Sequence, residues 1–262
     1  MAQNDDAPVL LDKRSDRVAI VTINRPQSRN SVNTEVAIDL EGIVQETERD
    51  PEVCAIVLQG AGSEAFSAGA DLKEVAAGNL SYLFTDRGGF AGFVHAQRSK
   101  PWIAAVDGLA LAGGCEIALA CDLIVASESA EFGLPEVTRG LVASAGGLYR
   151  LTRSLPRAIA IELILTADRL PAARALDLGL INRLARTGCA TDVAHELALK
   201  ISANAPLAVR ESLAIAKLSY DLSEEELRTL SENAQMRMMS TKDFVEGPKA
   251  FIEKRSPRWV GA

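Results

Sequence analysis

Short apolar runs and helix-period stripes alternate along the chain up to about residue 185, and beyond it only the helix period remains. Residues 9–11 and 17–23 read as strands joined by the polar DKRSD, a hairpin. After the turn-rich loop NRPQSRNSVN, Asn33 suits the N-cap of a helix whose apolar face is Val36, Ala37, Leu40, Ile43, Val44 and Thr47. Asp50-Pro51 ends it, and residues 53–58 predict a buried strand, as do 103–106 and 122–126, with a short one from Ala130. Residues 78–98, with glycines at 88, 89 and 92 and weak periodicity, predict a loosely specified helix. A helix follows Gly146-Gly147, and others are predicted at 158–165, 172–178, 191–203, 206–219 and 242–254, with one more opened by the capping box Ser223-x-x-Glu226. Strand–helix alternation giving way to helix predicts an α/β core with a helical appendage.

The centre of this pattern is AAVDGLALAGGCE, residues 104–116. An apolar strand turns at Asp107-Gly108, and Gly113-Gly114 then stands directly before the apolar helix CEIALA. Paired glycines at a helix start bring bare N–H groups and the positive end of the helix dipole up to a ligand. Glu116 follows among apolar neighbours, where a carboxylate beside exposed N–H groups can move a proton while they hold an oxyanion. With Gly113 as N-cap, Glu116 would also be a favourable acid at the third helical position with no catalysis implied.

Composition narrows the classes. The 262 residues suffice for one large core with a smaller appendage, and a net charge of −7 disfavours general nucleic-acid or anionic-membrane binding. MAQNDDAPVL has acids where a secretory signal carries cations, and no run is long enough to span a bilayer, so a soluble cytoplasmic protein is expected. Cys54, Cys115, Cys121 and Cys189 are scattered and read as small hydrophobes in a reducing compartment. His95 and His195 stand beside no nucleophile, Asp122 reads as a structural acid, no cluster has metal-ligand spacing, and the glycines fit neither a P-loop nor GxGxxG.

Three segments share a glycine-loosened backbone feeding a helix: AGAD at 68–71, AGGCE at 112–116 and SAGG at 144–147. Two carry N–H groups able to converge on one oxygen, and Glu116 and Glu136 supply carboxylates. This is equipment for a thioester whose carbonyl becomes an enolate while water is added or removed. FSAGADLKE, AAVDGLALAGGCEIALACDLIVAS, AEFGLPEVTRGL, AGGLYRL, the NRP-RN loop and EGPKAFIEKRSPRW closely resemble, in order and over nearly the whole chain, the signature segments of the enoyl-CoA hydratase/isomerase (crotonase) superfamily.

The resemblance implies a spiral of ββα turns over residues 1–190 and a C-terminal helical trimerisation region over 191–262, with trimers paired as hexamers. It implies an oxyanion hole from the N–H groups of Ala70 and Gly113, with Glu116 as base toward water and Glu136 as proton donor to Cα. The acyl-CoA substrate would meet Ala68, Asp71, Leu72 and Lys73 after the first glycine turn and Arg25 and Arg29 in the first loop. Phe251 and Lys254 would border a neighbouring subunit's CoA site. No cofactor or metal is implied beyond the coenzyme A of the substrate. Relatives of the mitochondrial hydratase type carry Pro-Gly where this chain has Ala143-Ser144. The readings set against hydration are a double-bond isomerase needing one glutamate, a dehydratase for a polar 3-hydroxyacyl-CoA, and a non-catalytic RNA-binding or scaffold protein, the last disfavoured by the charge.

Overall fold

A computed structural model describes residues 6–262; the first half of the polar tip MAQNDDAPVL lies outside the described residues. The chain opens with the antiparallel hairpin β1 (Val9–Lys13) and β2 (Val18–Ile23). Helix α1 (Thr34–Arg49) follows, capped by Asn33, whose side chain accepts the Val36 N–H at 3.0 Å. Its buried stripe is Val36, Ala37, Leu40, Val44 and Thr47, and each large side chain there contributes roughly 1.5–3 kcal/mol. The far end of α1 rests on the fully buried Lys100, whose ammonium donates to the Thr47 and Asp50 carbonyls, each at 2.5 Å. A cation is favoured at that negative end of the helix dipole.

Three turns of a spiral come next. The first is β3 (Ala55–Gly60), β4 (Ala65–Ser67) and α2 (Leu72–Ala76). A small hairpin, β5 (Phe84–Thr85) and β6 (Gly89–Phe90), separates it from the second turn: β7 (Trp102–Val106), β8 (Leu109–Leu111) and α3 (Gly113–Ala120). The third is β9 (Leu123–Ser127), β10 (Glu131–Gly133), a 3₁₀ turn over Pro135–Arg139 and α4 (Gly147–Ser154). Then come α5 (Arg157–Thr166), β11 (Leu170–Pro171), α6 (Ala172–Asp177), β12 (Arg183–Ala185), α7 (Ala190–Ser202), α8 (Pro206–Lys217), α9 (Glu224–Met239) and α10 (Lys242–Ile252). The box at Ser223 and Glu226 forms at the start of α9.

The first strand of each turn enters a six-stranded sheet, β1-β2-β3-β7-β9-β12, and the second enters a four-stranded sheet, β11-β10-β8-β4. Because β4, β8 and β10 run parallel, their C-terminal ends open on the same edge. The expected spiral is present, and it sends the 68–71, 112–116 and 134–136 segments to one place. On the outer face of the six-stranded sheet, Ala190, Ala194 and Ala198 of α7 pack against Val57, Ile103 and Val125. A boundary at 190/191 thus groups α7 with the terminal helices although its buried face serves the sheet, while Leu218 just after α8, Met236 on α9 and Phe244 and Ile252 on α10 are exposed.

One expectation needs correction. Residues 78–98 are not helical: Leu80–Leu83 is a 3₁₀ turn, and then β5, β6 and tight turns follow. Gly89, Ala91 and Gly92 have φ of 65°, 59° and 64°, left-handed values that no helix sustains. Pro135-Glu136 opens a 3₁₀ turn, closed by Gly140 at φ 67°.

Candidate active site

The convergent strand ends frame a largely apolar cavity of about 620 Å³. After β4 the chain bridges to the first loop. Val32 N–H donates to the Gly69 carbonyl and Asp71 N–H donates to the Val32 carbonyl, both at 2.8 Å. That parallel exchange uses the residues either side of Ala70 and turns the Ala70 N–H away from Val32. Gly69 has φ +85°, and a Cβ there would lie 2.7 Å from the Gly113 nitrogen. The two glycine segments are therefore in backbone contact, and both Ala70 and Gly113 line the cavity.

The helix start is one residue earlier than expected. Ala112, at φ 51°, is the N-cap of α3, its N–H donating to the Gly133 carbonyl at 2.9 Å. Gly113 is the first helical residue, with an N–H that has no intrahelical acceptor. Glu116, bonded through its N–H to the Ala112 carbonyl at 3.0 Å, is the fourth, so the favourable third position does not account for it. Gly114 allows the close fit, since a Cβ there would stand 2.0 Å from the Ser67 carbonyl oxygen.

Glu116 and Glu136 both line the cavity and are buried, at 4% and 9% exposed. Burial pushes the Glu116 carboxyl up to about 7; the Gly147 N–H, donating to its Oε1 at 2.9 Å, resists that rise, and the Glu136 charge adds to it. Glu136 is also raised, chiefly by burial, with Arg139 opposing. Its Oε2 is buried without a hydrogen-bond partner among the described residues, a position suited to the protonated form. The two carboxyls thus share one largely apolar pocket, both raised chiefly by burial.

The remaining predicted residues divide. Ala68, Asp71, Leu72, Lys73 and Arg29 line the cavity. Asp71 is also the N-cap of α2; burial, which would raise its carboxyl, is outweighed by the Lys73 N–H and Arg25, which hold it below its ordinary value. Arg25 does not line the cavity: its guanidinium donates to Asp71 Oδ2 at 2.9 Å and to the Ser31 carbonyl at 2.7 Å, bracing the first loop. Arg29 is paired with Glu64 at 2.8 Å. Phe251 is exposed on α10, Lys254 follows it, and neither lines the cavity of this chain.

Ser144 of the SAGG segment lines the cavity, while the pattern did not single out Phe84, Phe90, Leu141 and Val142, which complete the apolar wall, or Arg139 and Arg169. The exposed apolar pair Leu141-Val142 directly after a left-handed glycine was the available signal. The other residues weighed as candidates have partners of their own. His95 meets the Tyr149 hydroxyl at 3.2 Å and His195 meets Asp16 at 2.8 Å, while Asp122 accepts the Trp102 N–H and pairs with Lys217. Burial raises the Cys115 thiol, and no group of His, Cys, Asp and Glu among the described residues could hold a metal. No helix among them is long and apolar enough to cross a membrane.

Known proteins resemble the chain over nearly its full length. It is 38% identical over 251 residues to a short-chain-enoyl-CoA hydratase of Clostridium acetobutylicum, covering 94% of this chain and 95% of that one. It is 37% identical over 246 residues to a carnitinyl-CoA dehydratase of Proteus mirabilis, covering 92% and 94%. The crystal structure of an enoyl-CoA hydratase from Mycobacterium tuberculosis superposes with a TM-score of 0.94 at 44% identity, covering 98% of this chain and all of that one. The enoyl-CoA hydratase/isomerase profile matches residues 13–262. With two relatives above 30% identity and a profile spanning the chain, the protein belongs to the enoyl-CoA hydratase/isomerase family.

Proposed function

We propose that the protein is an enoyl-CoA hydratase, adding water reversibly to a trans-2-enoyl-CoA to give a 3-hydroxyacyl-CoA. The observation that carries this reading is the pair of buried glutamates in one cavity with the touching Gly69 and Gly113 turns. The thioester oxygen is held by the N–H groups of Ala70 and Gly113. Glu116 takes a proton from water as the oxygen bonds to Cβ, and the double-bond electrons move through Cα to the thioester oxygen. Glu136 then delivers its proton to Cα, collapsing the enolate. Glu116 ends protonated and Glu136 ionised, and proton exchange resets them. Preformed N–H donors stabilise the enolate by roughly 2.7–4 kcal/mol each.

Lys73 and Arg29 at the mouth suit the phosphates of coenzyme A, and no cofactor beyond that substrate enters the scheme. The exposed apolar residues of α8, α9 and α10 support a trimer or dimer of trimers, bringing Phe251 and Lys254 to a neighbour's CoA. The four free cysteines fit the reducing cytoplasm.

The test is loss of enone absorbance from crotonyl-CoA, with Glu116→Gln and Glu136→Gln beside wild type. Loss that collapses in both variants is the expected result. Equal activity in Glu116→Gln would instead show that Glu116 is not the base toward water. A second reading, dehydration of a polar 3-hydroxyacyl-CoA, uses the same residues in reverse and is supported by the carnitinyl-CoA dehydratase likeness and by Ser144 in the cavity wall. It gains if crotonyl-CoA is inert while a polar 3-hydroxyacyl-CoA loses water.

A further inference from the structure

The carboxylate of Glu116 is held by the turn at 145–147. Gly147 N–H donates to its Oε1 at 2.9 Å, and the nearby Ala145 N–H also favours the ionised carboxylate. What holds the turn lies on its far side. Arg150, one helical turn into α4, donates from Nη1 to the Ala145 carbonyl at 3.0 Å and from Nη2 to the Val94 carbonyl at 2.6 Å. Its guanidinium is pressed under Gly146, where a Cβ would lie 2.0 Å from Nη1, and Gly146 itself has φ +114°. The fork thus joins the turn to the coil that follows Phe90, a cavity residue. A planar two-armed donor holds two carbonyls in one fixed geometry, which the flexible point donor of a lysine does not reproduce.

We propose that Arg150 is the positioning residue of Glu116: it fixes the 145–147 turn from behind, and the turn aims and ionises the base. The proposal rests on the reading of Glu116 as the base toward water. Arg150 acts in two ways. It orders the two N–H donors, and it places a positive charge behind the carboxylate, opposing the rise that burial causes. The charged and titratable groups around the pair are Glu136 on the 3₁₀ turn, Cys121 at the end of α3, and Tyr149 and Arg153 on α4. His95 and Arg98 feel Arg150 from the neighbouring coil. Arg150 is the only cation among them that bears on Glu116 directly.

The experiment compares Arg150→Met and Arg150→Lys with wild type by kcat, KM and the pH profile of crotonyl-CoA hydration. Removing the cation and loosening both N–H donors raises the Glu116 pKa, so the acid limb of kcat/KM moves to higher pH. The expected shift in Arg150→Met is about one unit, with kcat down about tenfold or more and KM within about threefold. Arg150→Lys keeps the charge but loses the fork, so its limb stays near that of wild type while kcat still falls. Gly146→Ala, which displaces the guanidinium, should move kcat in the same direction.

A readout independent of turnover is carboxyl titration by carbon NMR in glutamate-labelled Glu136→Gln protein, with the Glu116 signal identified by its loss in Glu116→Gln. An upward shift in the Arg150→Met background supports the proposal. A melting temperature that falls while the acid limb and the Glu116 titration coincide with wild type would reduce Arg150 to a packing residue and overturn it. If Arg150→Met does not fold, unchanged kcat in both Arg150→Lys and Gly146→Ala overturns it equally. Wild type inert toward every enoyl-CoA, with the titration still shifted, would sink the hydratase reading and leave the placement of Glu116 standing.

Discussion

The two halves of the cavity are built on opposite terms. Where Glu116, Ala70 and Gly113 meet, the wall is backbone in close contact: Gly69 against Gly113, Gly114 against the Ser67 carbonyl, the 145–147 turn against Glu116. Facing them, the wall is side chain and half open, with Leu72 61% and Val142 64% exposed against 4% for Glu116. Backbone placed by strand ends cannot shift without moving a sheet, whereas an exposed leucine can change rotamer or identity at little cost to the fold. On the proposed reading, the first half fixes which reaction is possible, and the second is free to vary which acyl group is accepted.

The sharpest break of that contrast is Gly69→Ala set against Gly78→Ala. Both glycines have similar left-handed φ, +85° and +81°, so the backbone strain is shared. Only at Gly69 does the new Cβ meet another segment, 2.7 Å from the Gly113 nitrogen; at Gly78 it meets nothing within 4 Å. The expected outcome is a kcat roughly 10²–10³ lower in Gly69→Ala, the scale of one lost oxyanion donor. Gly78→Ala should lose about 1–2 kcal/mol of stability with wild-type kcat. Equal kcat in the two variants would show that contact at the glycine turns does not govern the rate.

The tight half also stores instability. Burial lifts the Glu116 pKa from 4.5 to about 7, so the folded state holds that proton more firmly than the unfolded chain does. Its contribution to stability is full below pH 4.5 and is lost as pH rises through about 7. Glu116→Gln, which cannot ionise, should therefore exceed wild type by up to about 3 kcal/mol at pH 8 and approach it toward pH 5. Denaturant melts at the two pH values check this; an inactive variant no more stable at pH 8 than wild type would remove burial as the cause of the raised pKa.

How far the sequence could be read follows the same division. The glycine segments, Glu116 and the helical stripes were legible because each depends on local chemistry: a φ only glycine tolerates, an acid among apolar neighbours, a period of apolar residues; Glu136 was singled out only through the family resemblance. The second sheet was barely legible. Its strands are two or three residues long, too short to show alternation, yet they make the segments converge. Arg25 illustrates a different limit. A loop arginine reads equally as phosphate ligand or brace, and only the proximity of Asp71, 46 residues away, decides for the brace. Residues 78–98 failed as a helix because four left-handed residues outweigh a weak period, and nothing in their spacing showed the hairpin that carries Phe84 and Phe90 into the wall.

The open half is probed by Phe84→Ala and Val142→Ala. With the wall thinned, hydration of long enoyl-CoA chains should change relative to crotonyl-CoA by about tenfold in kcat/KM, the scale of a few buried methylenes. The change should fall on chain-length preference, leaving the pH profile where Glu116 and Glu136 set it. A moved pH profile with unmoved chain preference would mean these side chains serve the reaction rather than the acyl group, and the contrast between the halves would fail.

The smallest effect is expected at the mouth, and it separates three cations of similar sequence appearance. Lys73 lines the cavity on α2 without an ion pair among the described residues. Arg29 lines it already paired to Glu64, with both partners more than half exposed, and Arg25 is turned inward on Asp71. An exposed cation facing phosphate is worth about 0.2–1 kcal/mol and is screened within about 10 Å at 0.1 M salt. Lys73→Ala should thus raise KM severalfold at low salt, with the gap closing as salt rises. Arg29→Ala should do less, because Glu64 already neutralises much of its charge. Arg25→Ala should leave the salt dependence alone and lower the melting temperature, since it strands Asp71, a buried carboxylate that caps α2. A salt-sensitive KM in Arg25→Ala would return that arginine to the substrate and require the first loop to open on binding.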